Sequence, residues 1–242
     1  MTGSNLIGSD RPYWGRDLEA MSFAINYHRW ILEESGDFFG KRILEVGAGT
    51  GNFTQILLNS GVSSVLACEP SRNMFALLEE AFRGNPCVTP TCSTLSEMAK
   101  DELKGTFDAV FYVNVLEHIE DDIDELRQAA EYLVPGGKLV IFVPALPGLM
   151  SDFDRKIGHF RRYRYQELSA KVAKTGLEID KLRFFDFVGA IAWLLLMKLC
   201  RRTLGGGSVM IFDRWVVPMM KKVERTVKIP FGKNLLLVAR KK

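Results

Sequence analysis

Ile43-Leu44-Glu45-Val46-Gly47-Ala48-Gly49-Thr50-Gly51-Asn52-Phe53-Thr54 is the stretch whose reading decides the fold. An apolar run carrying one acidic residue leads into three glycines spaced two apart, and a helical pattern follows from Phe53 to Leu58. The order implied is strand, tight turn, helix. A turn this sharp needs positive φ, which glycine reaches without steric cost. With no Cβ in the turn, a ligand can lie against the backbone, beside the unpaired N–H groups that open the helix.

Two phosphate-binding patterns do not fit this stretch. A dinucleotide fingerprint is G-x-G-x-x-G, and here its third glycine slot holds Asn52. A P-loop needs Gly-Lys-Ser/Thr, which is absent. What remains, E-x-G-x-G-x-G, resembles the first motif of the class I S-adenosylmethionine-dependent methyltransferases. The resemblance implies S-adenosylmethionine as cofactor, with Glu45, Gly47, Ala48, Gly49 and Gly51 around it.

The next strand is expected within Val62–Glu69 and ends in Glu69-Pro70-Ser71. The interval from Glu45 to Glu69 is the size of one βαβ unit. An acidic residue at the end of the second strand sits where a ribose lies across the sheet edge, and its carboxylate accepts bonds from two vicinal hydroxyls. A charge favouring the N-terminus of the following helix, Ser71 to Phe82, is the plainer reading, and the two are compatible. By the resemblance, Pro70 and Met74 join the cofactor site.

Cys87 to Leu95 reads as a weak third strand, broken by Pro90. Where many members of the family carry an acidic residue for the adenine amino group, this chain has Ser93 and Thr94. Adenine recognition is thereby left to hydroxyl or backbone groups, with Thr94 and Leu95 at that position. Phe107 to Asn114 is the fourth strand, followed by Val115-Leu116-Glu117-His118-Ile119 and an acidic helix from Asp121 to Leu133. This resembles the fourth motif of small-molecule members and implies that Asn114 and Val115 face the methionine part of the cofactor. Pro135-Gly136-Gly137 is expected to make a turn and Leu139–Val143 a fifth strand, apolar throughout as a strand covered on both faces should be. The resemblance covers about residues 40–145.

The fold expected is α/β: a Rossmann-like, doubly wound, seven-stranded, mostly parallel sheet with helices on both faces and a helical insertion before the last strand. Residues 1–39 are read as an N-terminal helical cap, with a helix over Asp17–Phe39, and 40–242 as the cofactor-binding domain. Within it, Tyr165–Thr175 is helical, a sixth strand lies near Lys181–Phe185, and the last is Asn234–Ala239. Residues 188–230, an insertion of roughly 45 residues, are long for a connection and so expected to be structured as a substrate cap. Val188–Cys200 is too short to span a bilayer. It is read as a buried cap helix, a dimer contact or a surface resting on a membrane.

Composition is that of a globular protein, 47% hydrophobic and 25% charged. Residues 1–150 hold 11 basic and 21 acidic side chains and residues 151–242 hold 21 and 8, so the net charge of +3 hides an acidic half and a basic portion. The basic portion suits an anionic substrate or a membrane face, or is simply solvated. Cys68, Cys87, Cys92 and Cys200 show no metal-ligand spacing and are read as reduced, buried thiols of a cytoplasmic protein, and the polar start is read as neither leader nor span.

Methyl transfer from a sulfonium is an in-line displacement, and alignment is most of the work. An oxygen acceptor also needs a base. His28 is mid-helix and read as core or surface; His118 follows the fourth strand, with a structural reading beside the catalytic one. His159 lies in Gly158-His159-Phe160-Arg161-Arg162-Tyr163, which resembles a signature of bacterial methyltransferases of glycan, lipid-linked or secondary-metabolite pathways. That resemblance implies His159 as base, with Tyr163 beside it and Arg161 and Arg162 positioning the acceptor. Tyr27 is read as core or as a substrate contact. The expectation is a small-molecule or lipid-linked acceptor, methylated at oxygen or nitrogen, with no metal and a monomer or homodimer. A nucleic-acid methyltransferase and a non-catalytic binding module are the alternatives. Against the former, Asn114-Val115-Leu116-Glu117 stands where base-amine methylases carry Asn/Asp-Pro-Pro-Tyr/Phe.

Overall fold

The structure is a computed structural model and describes residues 24–38, 40–98, 101–195 and 210–242. Helix α1 (Ile25–Ser35) leads into β1 (Arg42–Val46), α2 (Asn52–Asn59), β2 (Ser64–Cys68), α3 (Arg72–Ala81) and β3 (Val88–Thr91). Then follow β4 (Phe107–Val113), α4 (Asp122–Tyr132), β5 (Leu133–Pro144), α5 (Asp152–Lys156), α6 (Tyr165–Ala173) and β6 (Glu178–Phe185). Helix α7 (Phe187–Trp193), a π-helical turn (Phe212–Val216), α8 (Val217–Thr226) and β7 (Asn234–Arg240) complete the chain.

One seven-stranded sheet has the order β3-β2-β1-β4-β5-β7-β6. All pairings are parallel except those of β7, which runs antiparallel between β5 and β6. Residues alternate between two cores. Ile43, Phe111, Val140 and Phe142 face one with α1 and α2, while Leu44, Val110, Tyr112 and Ile141 face the other with α4 and α6. With both faces covered, the central strands lose their polar/apolar alternation. Pro90 is tolerated because β3 is an edge strand bonded only to β2.

Pro135-Gly136-Gly137 does not separate α4 from the fifth strand; it lies inside β5. Phe107 faces Leu133 whereas Ala109 faces Lys138, so the extra residues bulge from the strand, and Gly136, at φ 78°, carries the bulge. Of the helix expected over Asp17–Phe39, Ile25–Ser35 is helical; residues 17–23 and 39 lie outside the described residues, as do 196–209 of the insertion and with them Cys200. Helix α1 packs on the sheet directly through Tyr27, Trp30 and Ile31. Its first turn is capped by the insertion: the N–H groups of Asn26 and Tyr27 donate to the Asp213 carboxylate at 3.0 and 2.8 Å.

Candidate active site

Strand β1 lies between β2 and β4, where the order of connection reverses, the place at which open α/β sheets bind ligands. The glycine turn leaves β1 there. Gly47, Gly49 and Gly51 adopt φ of 70°, 58° and 86°. A Cβ on Gly47 would stand 2.5 Å from Val115 Cγ2, and one on Gly51 2.3 Å from Phe82 Cε2. The spacing of the motif is therefore enforced by both backbone and neighbours.

Glu69 closes the turn. Its Oε2 accepts the Gly49 N–H and its Oε1 the Ser71 N–H, each at 2.8 Å. Burial raises its carboxyl pKa, opposed by these two bonds. Each oxygen retains a lone pair, so the group is oriented and still able to accept from a vicinal diol. This donor set fits the ribose of S-adenosylmethionine. Glu45, behind the turn, accepts from the Thr54 hydroxyl at 2.6 Å, and burial pushes its carboxyl up to about 8. Met74 and Leu95 are both buried, Leu95 in the core with α4 and α6, and Pro70 stands beside Glu69. The Thr94 hydroxyl accepts from the Glu97 N–H at 3.2 Å while the Thr94 N–H donates to the Glu97 carboxylate at 2.9 Å. This local cap engages both the hydroxyl and the backbone N–H of Thr94.

At the end of β4, Asn114 holds φ 55° with its N–H bonded to the Phe142 carbonyl at 2.8 Å. Such a conformation in a non-glycine residue marks a position fixed by its surroundings. A short 3₁₀ turn, Leu116–His118, follows. The segment after β5 folds over it: Phe160 N–H donates to the Glu117 carbonyl at 2.9 Å, and Tyr163 bridges to Ala145. Residues 40 apart in sequence thereby meet.

Asp154 organises this meeting. Its Oδ2 accepts from the Ser151 N–H and hydroxyl at 2.8 and 2.6 Å, and its Oδ1 pairs with Arg162 Nε at 2.9 Å and His159 Nδ1 at 3.0 Å. Burial alone would raise its pKa, but the bonds from His159, Ser151 and Arg162 hold it well below the carboxylate range. The bond from Nδ1 to Asp154 orients the His159 ring and turns Nε2 to its other side. Nε2 points at Glu117 Oε1, 3.7 Å away. His118 stacks edge-on against His159, ring centroids 4.6 Å apart, and bonds to the Gly158 backbone. Burial lowers its pKa to about 4, and burial pushes Glu117 up to about 8.

Several of the other candidate side chains are engaged within the protein. Tyr163 is wholly buried; its hydroxyl donates to Asp122 at 2.8 Å, and burial with that carboxylate pushes its pKa up, so it is no partner for an acceptor. Arg162 is buried against Asp154 and the Trp193 ring and orients His159 instead of meeting substrate. Arg161 binds the Glu120 carbonyl and Asp122, both at 2.7 Å. Tyr27 is core: its hydroxyl reaches Asp186 and Asn234 at 3.1 and 3.2 Å, and its ring packs on Phe142 and Phe185. His28 is buried beside Phe53, with its pKa lowered to about 4 by burial. Sequence reasoning gave Asp154 and Glu117 no role. The Ser151-x-x-Asp154 capping pattern was the one local signal for Asp154. Glu117, His118 and His159, which sequence spacing did not reveal as a ligand set, offer atoms all within 4.8 Å of one another.

The family model of a methyltransferase domain matches residues 44–139. The chain is 34% identical over 113 residues to a tRNA U34 carboxymethyltransferase of Pseudomonas syringae pv. tomato, covering 46% of this chain and 35% of that protein. It is 28% identical over 109 residues to a ubiquinone biosynthesis O-methyltransferase of Vibrio parahaemolyticus, covering 45% and 46%. The chain thus spans less than half the length of these relatives. Among solved structures, an S-adenosylmethionine-dependent methyltransferase of Mesorhizobium loti superposes with a TM-score of 0.62 at 18% identity, over 87% of this chain and 95% of that one.

The fold is the one seen in that solved S-adenosylmethionine-dependent methyltransferase, with the glycine turn of this chain closed by an acidic residue at the end of β2. Over residues 44–139 this chain matches a methyltransferase domain.

Proposed function

We propose that the protein transfers the methyl group of S-adenosylmethionine to a hydroxyl oxygen of a small or lipid-linked acceptor. The observation that carries the cofactor half is Glu69, oriented by two backbone N–H groups at the switch point. Asn114 and Val115 lie toward the methyl end, and Glu117, His118 and His159 beyond them activate the acceptor. An imidazole held as His159 is works as a base or as a ligand to a cation. When bound, the cofactor supplies the methyl on a sulfonium; the chain aligns the acceptor and excludes water.

A lipid-linked acceptor is favoured by an apolar stripe on the insertion. Ile211, Trp215, Met219, Val223 and Val227 recur every fourth residue and are 53–70% exposed, with Arg214, Lys222 and Lys228 exposed among them. That is the pattern of a surface that rests on anionic lipid. No helix among the described residues is long and apolar enough to cross a membrane. A tRNA acceptor is the second reading, favoured by the carboxymethyltransferase relative and by the basic C-terminal portion.

The deciding experiment supplies cofactor with a labelled methyl and offers three acceptor pools: lipid extract, aqueous metabolites and total tRNA. Label in the lipid or metabolite pool, lost in His159→Ala while cofactor affinity stays within about threefold, is the expected result. Label in tRNA alone sinks the first reading in favour of the second.

A further inference from the structure

The cluster behind Asn114 has an electrostatic problem that the protein alone leaves unsolved. Glu117 is 1% exposed, and neither carboxylate oxygen has a hydrogen-bond partner. A buried carboxyl group whose two oxygens both lack partners is costly for a fold to hold. Facing it is His159 Nε2, turned there because Asp154 holds Nδ1. Two lone-pair donors therefore confront each other across 3.7 Å, too far for a shared proton to bridge as a hydrogen bond. His118 brings a second imidazole to the same point, its ring set by the bond to the Gly158 backbone.

What satisfies all three is a cation. Metal–nitrogen and metal–oxygen bonds of about 2.0–2.2 Å place tetrahedral ligands about 3.3–3.6 Å apart. The His159–Glu117 separation is already close to that. A metal-ligating histidine characteristically donates its other N–H to a carboxylate or carbonyl. Both histidines here do so, His159 to Asp154 and His118 to Gly158. Three protein ligands leave room for a water or an acceptor oxygen. Two imidazoles and one carboxylate suit Zn2+ and its neighbours better than Mg2+.

We propose that Glu117, His118 and His159 form a binding site for a divalent transition-metal ion, with coordination positions left open toward the acceptor. Cation binding stands on the cluster alone; only its placement beside the acceptor rests on the methyl-transfer reading.

The test uses the full chain, stripped with a chelator and titrated with Co2+ as a spectroscopic probe, then with Zn2+ and Mg2+ by calorimetry. We expect one equivalent of Co2+ with visible ligand-field absorption, displaced by Zn2+, and much weaker Mg2+ binding. Glu117→Gln keeps the side chain's shape and replaces one unpartnered buried polar group by another, so the stripped variant should melt close to the parent. Its affinity for Co2+ and Zn2+ should fall at least about tenfold, and so should that of His159→Ala. Absence of stoichiometric Co2+ binding, or unchanged affinity in Glu117→Gln, overturns the proposal. Full methyl transfer by the stripped protein in chelator, with no cation bound, overturns the placement of the open positions beside the acceptor while leaving the functional reading intact. Tight, Glu117-dependent Co2+ binding in a protein that methylates nothing supports the site and removes the reading.

Discussion

Replacing Glu69 by glutamine tests the cofactor assignment most directly. The carboxylate accepts Gly49 N–H at one oxygen and Ser71 N–H at the other, each at 2.8 Å, and a ribose diol would complete both. Glutamine keeps one acceptor oxygen and sets an NH2 group in the other's place. One ribose bond is then lost, and a backbone N–H faces a donor. A hydrogen bond to a charged group contributes roughly 1.5–3 kcal/mol, so affinity for S-adenosylhomocysteine should fall about 10- to 150-fold. Calorimetry at neutral pH measures this, with a thermal melt to show that the variant is folded. Affinity within about threefold of the parent in a folded variant would mean that the nucleoside does not lie on Glu69.

Gly51→Ala combines a left-handed backbone with a Cβ 2.3 Å from the Phe82 ring, whereas Gly84→Ala has φ 75° and no neighbour within 4 Å. Urea titration should show losses of roughly 2–5 kcal/mol for the first and about 1–2 for the second; equal losses would refute the clash. Glu45, with its folded carboxyl near 8 against an ordinary 4.5, binds its proton more tightly folded than unfolded. Its contribution to stability is complete below pH 4.5 and lost as pH rises through 8. In the absence of cofactor, Glu45→Gln should therefore gain on the parent by more than about 1 kcal/mol between pH 5 and 8, and parallel pH curves would contradict the buried proton.

How much of this was legible in the sequence follows from how local each signal is. The strand before the glycines, the carboxylate at 69 and Asn114 at the end of β4 are read from runs of ten residues or fewer, and they stand where expected. The ends of β5 were not, because Pro135-Gly136-Gly137 reads as a turn unless one knows that Phe107 and Ala109 hold both sides of the bulge. Arg161, Arg162 and Tyr163 were misread for a related reason. Charged and phenolic groups in a loop look like substrate contacts until Asp122 and Asp154, 39 residues upstream and 8 residues upstream respectively of their partners Arg161 and Arg162, take them up. Glu117 and His159 are brought together by a single backbone bond from Phe160, which no periodicity announces.

The carboxylate of Asp213 that caps α1 has a consequence for how the chain is made. Helix α1 leaves the ribosome well before the group that completes its first turn, which lies 187 residues later. At usual elongation rates that is a wait of roughly 10–40 s. During it the first turn of α1 lacks its cap and Tyr27 and Trp30 lack the last strands that cover them, so this helix is a natural client for a holding chaperone.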